Sequence, residues 1–153
     1  MGENMNIIKP ALLKNGDTIG ILAPSGAMDN DTNLKRGISF FEKRGFKVKL
    51  ADNIYSSNRY LAGSDKERLD AIHKMFSDKS INAIICLRGG YGAIRLINQI
   101  DYNVIRENPK IFCGYSDITA LNVMFLKRAG LSTYSGPMIM SDFGQENLCD
   151  YTI

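Results

Sequence analysis

The sequence alternates short apolar runs with amphipathic segments about five times, and this alternation limits the chain to a small set of folds. Residues 18–23 (TIGILA) and 81–87 (INAIICL) have the length of buried strands. The middle of the second run is apolar on both faces, as a central parallel strand requires. Apolar residues then recur at helical spacing at Leu34, Ile38 and Phe41. The sequence therefore predicts a doubly wound α/β fold, a mostly parallel sheet with helices on both faces.

Another helix is predicted after Ser64, where the sequence contains a capping box. In this motif the serine oxygen and the Glu67 carboxylate satisfy free backbone N–H groups at the helix start. Weaker patterns predict a short helix around residues 94–97, a strand over 110–115 (KIFCGY) and one more strand over 131–135 (LSTYS).

Size and composition favour one globular domain. The chain has 153 residues, of which 44% are hydrophobic, enough for a sizeable core. A net charge of +3 with dispersed charges argues against a nucleic-acid partner. The N-terminus lacks signal-peptide features, and no apolar run approaches a membrane span. A cytoplasmic protein without a membrane partner is expected.

Metal and cofactor chemistry is not expected from the residue types. The chain has three cysteines and one histidine, and it contains no CxxC or HxxxH spacing. Cys86 and Cys113 lie inside apolar runs, which favours reduced, packed thiols. We therefore predict neither a disulfide framework nor a zinc site.

Two loops carry the candidate chemistry, 88–92 (RGGYG) and 114–117 (GYSD). Each follows a predicted central strand, so a parallel sheet brings both loops to the same edge. They are therefore expected to share one site.

The second loop resembles a nucleophile elbow, a strand-to-helix turn that exposes a serine. Gly114 precedes Ser116 by two residues, but Ile118 replaces the second glycine of the usual pattern. The alternative is that Ser116 or Asp117 caps the following helix, which the spacing alone favours because such caps are common.

The first loop also has two interpretations. Consecutive glycines at Gly89 and Gly90 let the backbone approach a ligand and bind an oxyanion or phosphate, or they form a tight turn with positive φ. A dinucleotide motif does not fit, since Arg95 lies where a third glycine belongs. Arg88 and Tyr91 are candidates for ligand contacts. His73 lies in the middle of a predicted helix and is not expected to serve as a base.

Four segments together resemble the N-terminal half of the LD-carboxypeptidases, which include murein tetrapeptide carboxypeptidases and microcin C immunity proteins. These segments are 16–26 (GDTIGILAPSG), 59–78 (RYLAGSDKERLDAIHKMFSD), 83–97 (AIICLRGGYGAIRLI) and 114–122 (GYSDITALN). Their order and spacing match the family, and this joint match outweighs the helix-cap interpretation of Ser116.

The resemblance implies a set of roles. Ser116 would be the nucleophile, and the backbone N–H groups of Asp117 and Gly90, in the loop with Gly89, would form the oxyanion hole. Arg88 and Tyr91 would contact a small peptide substrate. Such enzymes cut the L,D-peptide bond and release terminal D-alanine from murein tetrapeptides during cytoplasmic peptidoglycan recycling. They use neither metal nor cofactor, and they typically form homodimers.

The resemblance also implies a departure from the family pattern. The family's catalytic histidine and glutamate lie in a C-terminal domain that no part of this sequence matches. Residues 1–153 are therefore expected to form a single nucleophile-bearing α/β domain that is inactive alone, because an isolated serine is a weak nucleophile. The alternatives are a microcin C-type immunity peptidase, a non-catalytic peptide-binding module, and another serine hydrolase completed by a partner subunit.

Overall fold

Four parallel strands form one sheet in the order β2-β1-β3-β4. The computed structural model describes residues 6–152. Because the chain moves from β1 to β2 on one side and then to β3 on the other, its direction across the sheet reverses between β1 and β3. Ligands of doubly wound sheets bind at such a switch point, outside the carboxyl ends of the strands. The strands are β1 (Thr18–Leu22), β2 (Lys47–Leu50), β3 (Ala83–Cys86) and β4 (Ile111–Cys113).

Helices cover both faces of the sheet, which confirms the predicted fold class. On one face, Ile19 and Ile21 of β1 pack with Leu34 and Phe41 of α1. The opposite face forms a second core with the other helices. The helices are α1 (Asp31–Glu42), α2 (Asp65–Ser77), α3 (Tyr102–Glu107) and α4 (Thr119–Met124), the last extended by a π-helical turn (Phe125–Ala129).

Helix α2 begins with the predicted capping box. Ser64 Oγ accepts a hydrogen bond from the Glu67 backbone N–H at 3.2 Å, and Glu67 Oε2 accepts one from the Ser64 N–H at 2.8 Å. The hydrogen bonds that the Glu67 carboxylate accepts from the Ser64 N–H and hydroxyl hold its pKa below its ordinary value. Ile72 and Phe76 are fully buried on the inner face of α2. The local motif therefore sets where the helix starts, and the apolar face sets how it packs.

The predicted strand over 131–135 is wrong, although the segment lies beside β4. Tyr134 makes one parallel bridge, to Cys113, and Leu131 makes another, to Ile8. The Ser132 N–H donates to Ile8 C=O, so neighbouring residues of the segment bond to different partners. Pro137 lacks an N–H group and cannot continue a ladder. The segment therefore makes two isolated bridges and does not form a strand.

The short helix predicted around 94–97 is also wrong, since only Ala93–Arg95 forms a 3₁₀ turn. Both ends of the surrounding segment are tied to other elements. The Ala93 N–H donates to the Asp117 carboxylate, and the Asp101 N–H donates to His73 on α2. Between these two hydrogen bonds the chain forms short turns. In one of them the Leu96 N–H donates to Ala93 C=O. Among residues 6–152, no helix has the length and apolarity needed to cross a membrane.

The capping box predicts the effect of Ser64→Ala. Loss of the serine oxygen leaves the Glu67 N–H without its acceptor, so the free energy of unfolding should fall by about 1 kcal/mol in urea denaturation. Ser77→Ala, at an exposed position of the same helix, is the control and should change it by less than about 0.5 kcal/mol. Equal effects of the two substitutions would contradict the capping role.

Candidate active site

Three loops meet at the carboxyl ends of β1, β3 and β4. The loop after β1 (residues 24–26) touches the loop after β3 (88–92), where the Gly26 N–H donates to Gly89 C=O at 3.1 Å. The loop after β4 (114–117) closes the other side. An open cleft of about 340 Å³ lies at this edge, and its lining includes Asp29, Arg88, Gly89, Gly90, Ser116 and Met140. The structure thus brings together the two loops that the sequence predicted to share a site.

Ser116 occupies a strained turn between β4 and the following helix. Its φ is +62°, in the left-handed region that non-glycine residues avoid at a cost of about 1–2 kcal/mol. Its side chain is exposed in the cleft. The turn requires a glycine at position 114, because a Cβ there would lie 2.8 Å from Ile118 Cγ2 and 3.1 Å from Cys86 Cβ. A strained, exposed serine at the end of a strand is the local geometry of a nucleophile elbow.

The interpretation of Ser116 or Asp117 as a helix cap is wrong. The 3₁₀ turn Ser116–Ile118 and helix α4 both begin without a side-chain cap. The Asp117 carboxylate points elsewhere, since its Oδ2 accepts hydrogen bonds from Ser25 Oγ at 2.6 Å and from the Ala93 N–H at 2.9 Å. Neither side chain therefore performs the common structural task that the spacing suggested.

The glycine loop approaches the serine closely. A Cβ on Gly89 would lie 2.9 Å from Ser116 Cβ and 3.1 Å from Ser116 Oγ, so position 89 has no room for a larger residue. Gly90 has a φ of +130°, which shows that the loop is also a turn that needs glycine. Within residues 6–152 the Gly90 N–H donates no hydrogen bond. The Asp117 N–H lies in a first helical turn, where N–H groups lack an intrahelical acceptor. Both N–H groups are therefore candidate donors to an oxyanion.

Arg88 lines the cleft and is half-buried, but it already has a partner. Its guanidinium forms an ion pair with Asp29 and donates to Ala27 C=O at 3.5 Å. Tyr91 is exposed and stacks edge-on against Tyr60, with ring centroids 6.1 Å apart. The structure places Tyr91 outside the residues that line the cleft.

The sequence analysis missed several residues of the cleft. Tyr115 lies in the elbow itself, and its position next to Ser116 in the sequence was the only feature that could have identified it as a cleft residue. The segment around a π-helical turn (Ile139–Phe143) supplies further lining and is held at the site because the Met140 N–H donates to Leu87 C=O at 2.8 Å. No sequence motif marked this segment. The additional lining residues are Asp29, Asn33, Tyr115, Met138, Met140, Ser141 and Gln145.

The chain's one histidine is not among the residues that line the cleft with Ser116. His73 Nε2 accepts a hydrogen bond from the Asp101 N–H at 2.9 Å, which ties α2 to the start of α3. Within the described part of the chain, no side chain forms a hydrogen bond with Ser116 Oγ. The same residues contain no group of three or more histidine, cysteine, aspartate or glutamate side chains that could hold a metal ion. The site as described thus presents an exposed serine and candidate oxyanion donors.

The cysteines near the sheet are poorly suited to act as nucleophiles. Burial raises the pKa of Cys113 to about 11, and it raises the pKa of the fully buried Cys86 well above the ordinary value. Since the thiolate is the reactive form, both groups remain protonated near neutral pH.

Comparison with known proteins matches the sequence to a protein family. The family described as the LD-carboxypeptidase N-terminal domain matches residues 19–136. The probable murein peptide carboxypeptidase of Bacillus subtilis (strain 168) is 41% identical over 140 residues, which cover 92% of this chain and 44% of the relative.

Solved structures show the same likeness. An MccF-like protein from Bacillus anthracis superposes with a TM-score of 0.90 at 38% identity, covering 95% of this chain and 44% of that chain. The microcin C7 self immunity protein MccF, solved in complex with aspartyl sulfamoyl adenosine, gives a TM-score of 0.89 at 33% identity, with coverages of 94% and 44%. The chain thus spans less than half the length of these relatives.

The strain at Ser116 predicts that Ser116→Gly is more stable than Ser116→Ala. Glycine relieves the cost of positive φ but adds disorder to the unfolded chain, leaving a net gain of about 0.5–1 kcal/mol in the free energy of unfolding. The same pair at Ser39, inside helix α1, should show the opposite order by about 1 kcal/mol. The elbow strain is refuted if both positions favour alanine.

The raised thiol pKa values predict selective alkylation. Iodoacetamide at pH 8 should modify the exposed Cys149 while Cys86 and Cys113 stay unmodified, as mapped by mass spectrometry of the folded chain. Reaction at Cys113 should accelerate only as the pH approaches 11. Rapid modification of Cys113 at pH 8 would instead make it a competing nucleophile beside the cleft.

Proposed function

The chain belongs to the LD-carboxypeptidase family, and on this basis we propose that it is the nucleophile-bearing domain of a serine peptidase that releases terminal D-alanine from murein tetrapeptides. The observation that carries the proposal is the strained, exposed Ser116 beside the Gly89-Gly90 turn at the carboxyl edge of the sheet. The activity would serve cytoplasmic peptidoglycan recycling.

In the proposed reaction, Ser116 Oγ attacks the carbonyl carbon of the L,D-peptide bond. The N–H groups of Gly90 and Asp117 donate to the oxyanion that develops on the carbonyl oxygen, a contribution of about 100- to 1,000-fold in kcat for each donor. A general base takes the hydroxyl proton and returns it to the amine of D-alanine as the C–N bond breaks. Water then hydrolyses the acyl-enzyme and regenerates the serine.

The base is proposed to lie outside residues 1–153. The histidine of this sequence, His73, is occupied at the α2–α3 junction, and no base contacts Ser116 within the described residues. We assign the base and its orienting glutamate to a second domain, as the family pattern implies. In that arrangement residues 1–153 supply the nucleophile and the oxyanion donors, and they are inactive without the second domain.

Arg88 is the proposed contact for a substrate carboxylate. A carboxypeptidase must recognise the terminal carboxylate, and Arg88 is the cationic side chain among those that line the cleft. Its guanidinium can bind a carboxylate through paired hydrogen bonds. The ion pair with Asp29 orients the guanidinium beforehand. Tyr91, which lies outside the cleft lining, has the weaker claim to a substrate contact.

The second candidate is a microcin C-type immunity peptidase. The observation that favours it is the TM-score of 0.89 with MccF, which was solved with aspartyl sulfamoyl adenosine. In that substrate class, the same serine would attack an aminoacyl carbonyl that is linked to a nucleoside analogue. A peptide-binding module without catalysis would keep the same cleft and need no base. A hydrolase completed by a partner subunit would keep the cleft and take its base from that subunit.

The decisive assay measures D-alanine release from murein tetrapeptide. Residues 1–153 should show only background release, and the same residues joined to the family's second domain should be active. In the joined form Ser116→Ala should lower kcat at least about 1,000-fold. Ser141→Ala, a change of another exposed serine of the cleft, is the matched control and should retain activity.

Each part of the proposal has its own contrary result. Equal activity of Ser116→Ala and the unaltered protein would remove Ser116 as nucleophile. Full activity of residues 1–153 alone would refute an external base. Hydrolysis of aspartyl sulfamoyl adenosine without release of D-alanine would assign the second candidate function.

A further inference from the structure

Asp117 joins the two loops that carry the proposed oxyanion donors. We propose that its carboxylate is a positioning residue, which sets the distance between the Asp117 N–H and the Gly90 N–H by binding the loop after β3. The inference rests on the proposed function, and it assigns to the side chain a task separate from that of the backbone N–H.

The hydrogen bonds that carry the inference all converge on one oxygen atom. Asp117 Oδ2 accepts from the Ala93 N–H at 2.9 Å, three residues beyond Gly90. It also accepts from Ser25 Oγ at 2.6 Å. Ser25 and Ala93 are fully buried and Asp117 is half-buried, so water has limited access to both contacts. One carboxylate oxygen therefore connects the loops after β1, β3 and β4.

No second hydrogen bond in the described residues links the loop after β3 to the loop after β4 in the way that Asp117 does. Within the described residues, Ala93 N–H to Asp117 is the one hydrogen bond that directly joins residues 88–93 to residues 114–119. The glycine loop is otherwise tied to the loop after β1, through the Gly26 N–H and Gly89 C=O. Gly90 and Gly92 have φ values of +130° and +99°, so side-chain sterics do little to restrict this loop. Its position relative to Ser116 thus depends on Asp117.

Ser25 fixes the direction of the carboxylate. Its hydroxyl has one proton and two acceptors, Asp117 Oδ2 at 2.6 Å and Tyr91 C=O at 3.1 Å. The shorter contact to the charged oxygen takes the proton, since hydrogen bonds to ionised groups are shorter and stronger. The serine therefore holds the carboxylate from the β1 side while Ala93 binds it from the β3 side.

The expected size of the effect follows from the geometry of oxyanion binding. Donors must lie about 2.7–3.1 Å from the oxyanion, and a misplacement of about 1 Å costs on the order of 100-fold in rate. Loss of the Asp117 carboxylate leaves both N–H donors present but no longer held together. The defect should therefore appear in kcat, with little change in KM, because the oxyanion exists only in the transition state.

The first test uses residues 1–153 alone and needs no catalysis. In Asp117→Ala, amide hydrogen exchange measured by NMR should be at least about 10-fold faster at Ala93, and the Gly90 and Gly92 amide signals should shift. Asp117→Asn, which keeps an acceptor oxygen, should show a smaller change. The control is Asp101→Asn, at a carboxylate that accepts from the Asn103 N–H at 2.9 Å at the start of α3, away from the cleft. It should leave the glycine loop unchanged.

The second test measures kinetics in the form joined to the second domain. Asp117→Ala should lower kcat about 10- to 100-fold with KM within about twofold, Asp117→Asn should recover part of kcat, and Ser25→Ala should act in the same direction. Asp101→Asn should keep kcat within about twofold. Thermal unfolding checks that each variant is folded, and Ser25→Ala remains informative if Asp117→Ala does not fold.

The two tests separate the inference from the function on which it rests. If the joined protein releases no D-alanine, the proposed function fails, while the exchange data still decide whether Asp117 holds the glycine loop. Unchanged exchange at Ala93 in folded Asp117→Ala overturns the inference. So does a kcat equal to that of the unaltered protein in folded Asp117→Ala, because the donors would then be positioned without the carboxylate.

Discussion

The parallel pairing of β1, β3 and β4 is the constraint on which the site depends. Parallel strands end at the same edge of a sheet, so the loops that follow them meet there whatever their separation in sequence. Ile85 pairs with Ile21 on one side and with Cys113 on the other, and this register sets the three loop starts side by side. The buried cores on both faces hold that register, since a shift by one residue would turn apolar side chains away from their partners.

The strained backbone at Ser116 is maintained by the packing around it. Gly114 lets the chain pass within contact distance of Ile118 and Cys86, and Gly89 lets the next loop approach the serine. A residue held at positive φ persists only where the surroundings over-determine its conformation. The close contacts provide that restraint, and the strained residue is one whose side chain is exposed in the cleft.

Much of the fold could be predicted because its signals are local. The Ser64 capping box and the buried run before Arg88 each act on residues only a few positions away. The strand predicted over 131–135 was wrong because pairing depends on partners far away in sequence, here Ile8 and Cys113. The contribution of Met140 to the cleft could not be predicted from the sequence for the same reason, because its position depends on a hydrogen bond to Leu87, which is distant in sequence.

The sequence by itself determined the α/β class and the edge at which the loops gather, because periodicity and glycine placement are local properties of the chain. It selected Ser116 as the candidate nucleophile through the joint resemblance of four segments to a family, since the spacing around Ser116 alone favoured a helix cap. Only the tertiary structure decided that Ser116 is strained and exposed, and that Asp117 binds Ser25 and Ala93 instead of capping a helix. A polar side chain in a loop can form hydrogen bonds with several groups of the same chemical type. Which one it binds depends on where other strands place their ends, and that is a property of the assembled sheet.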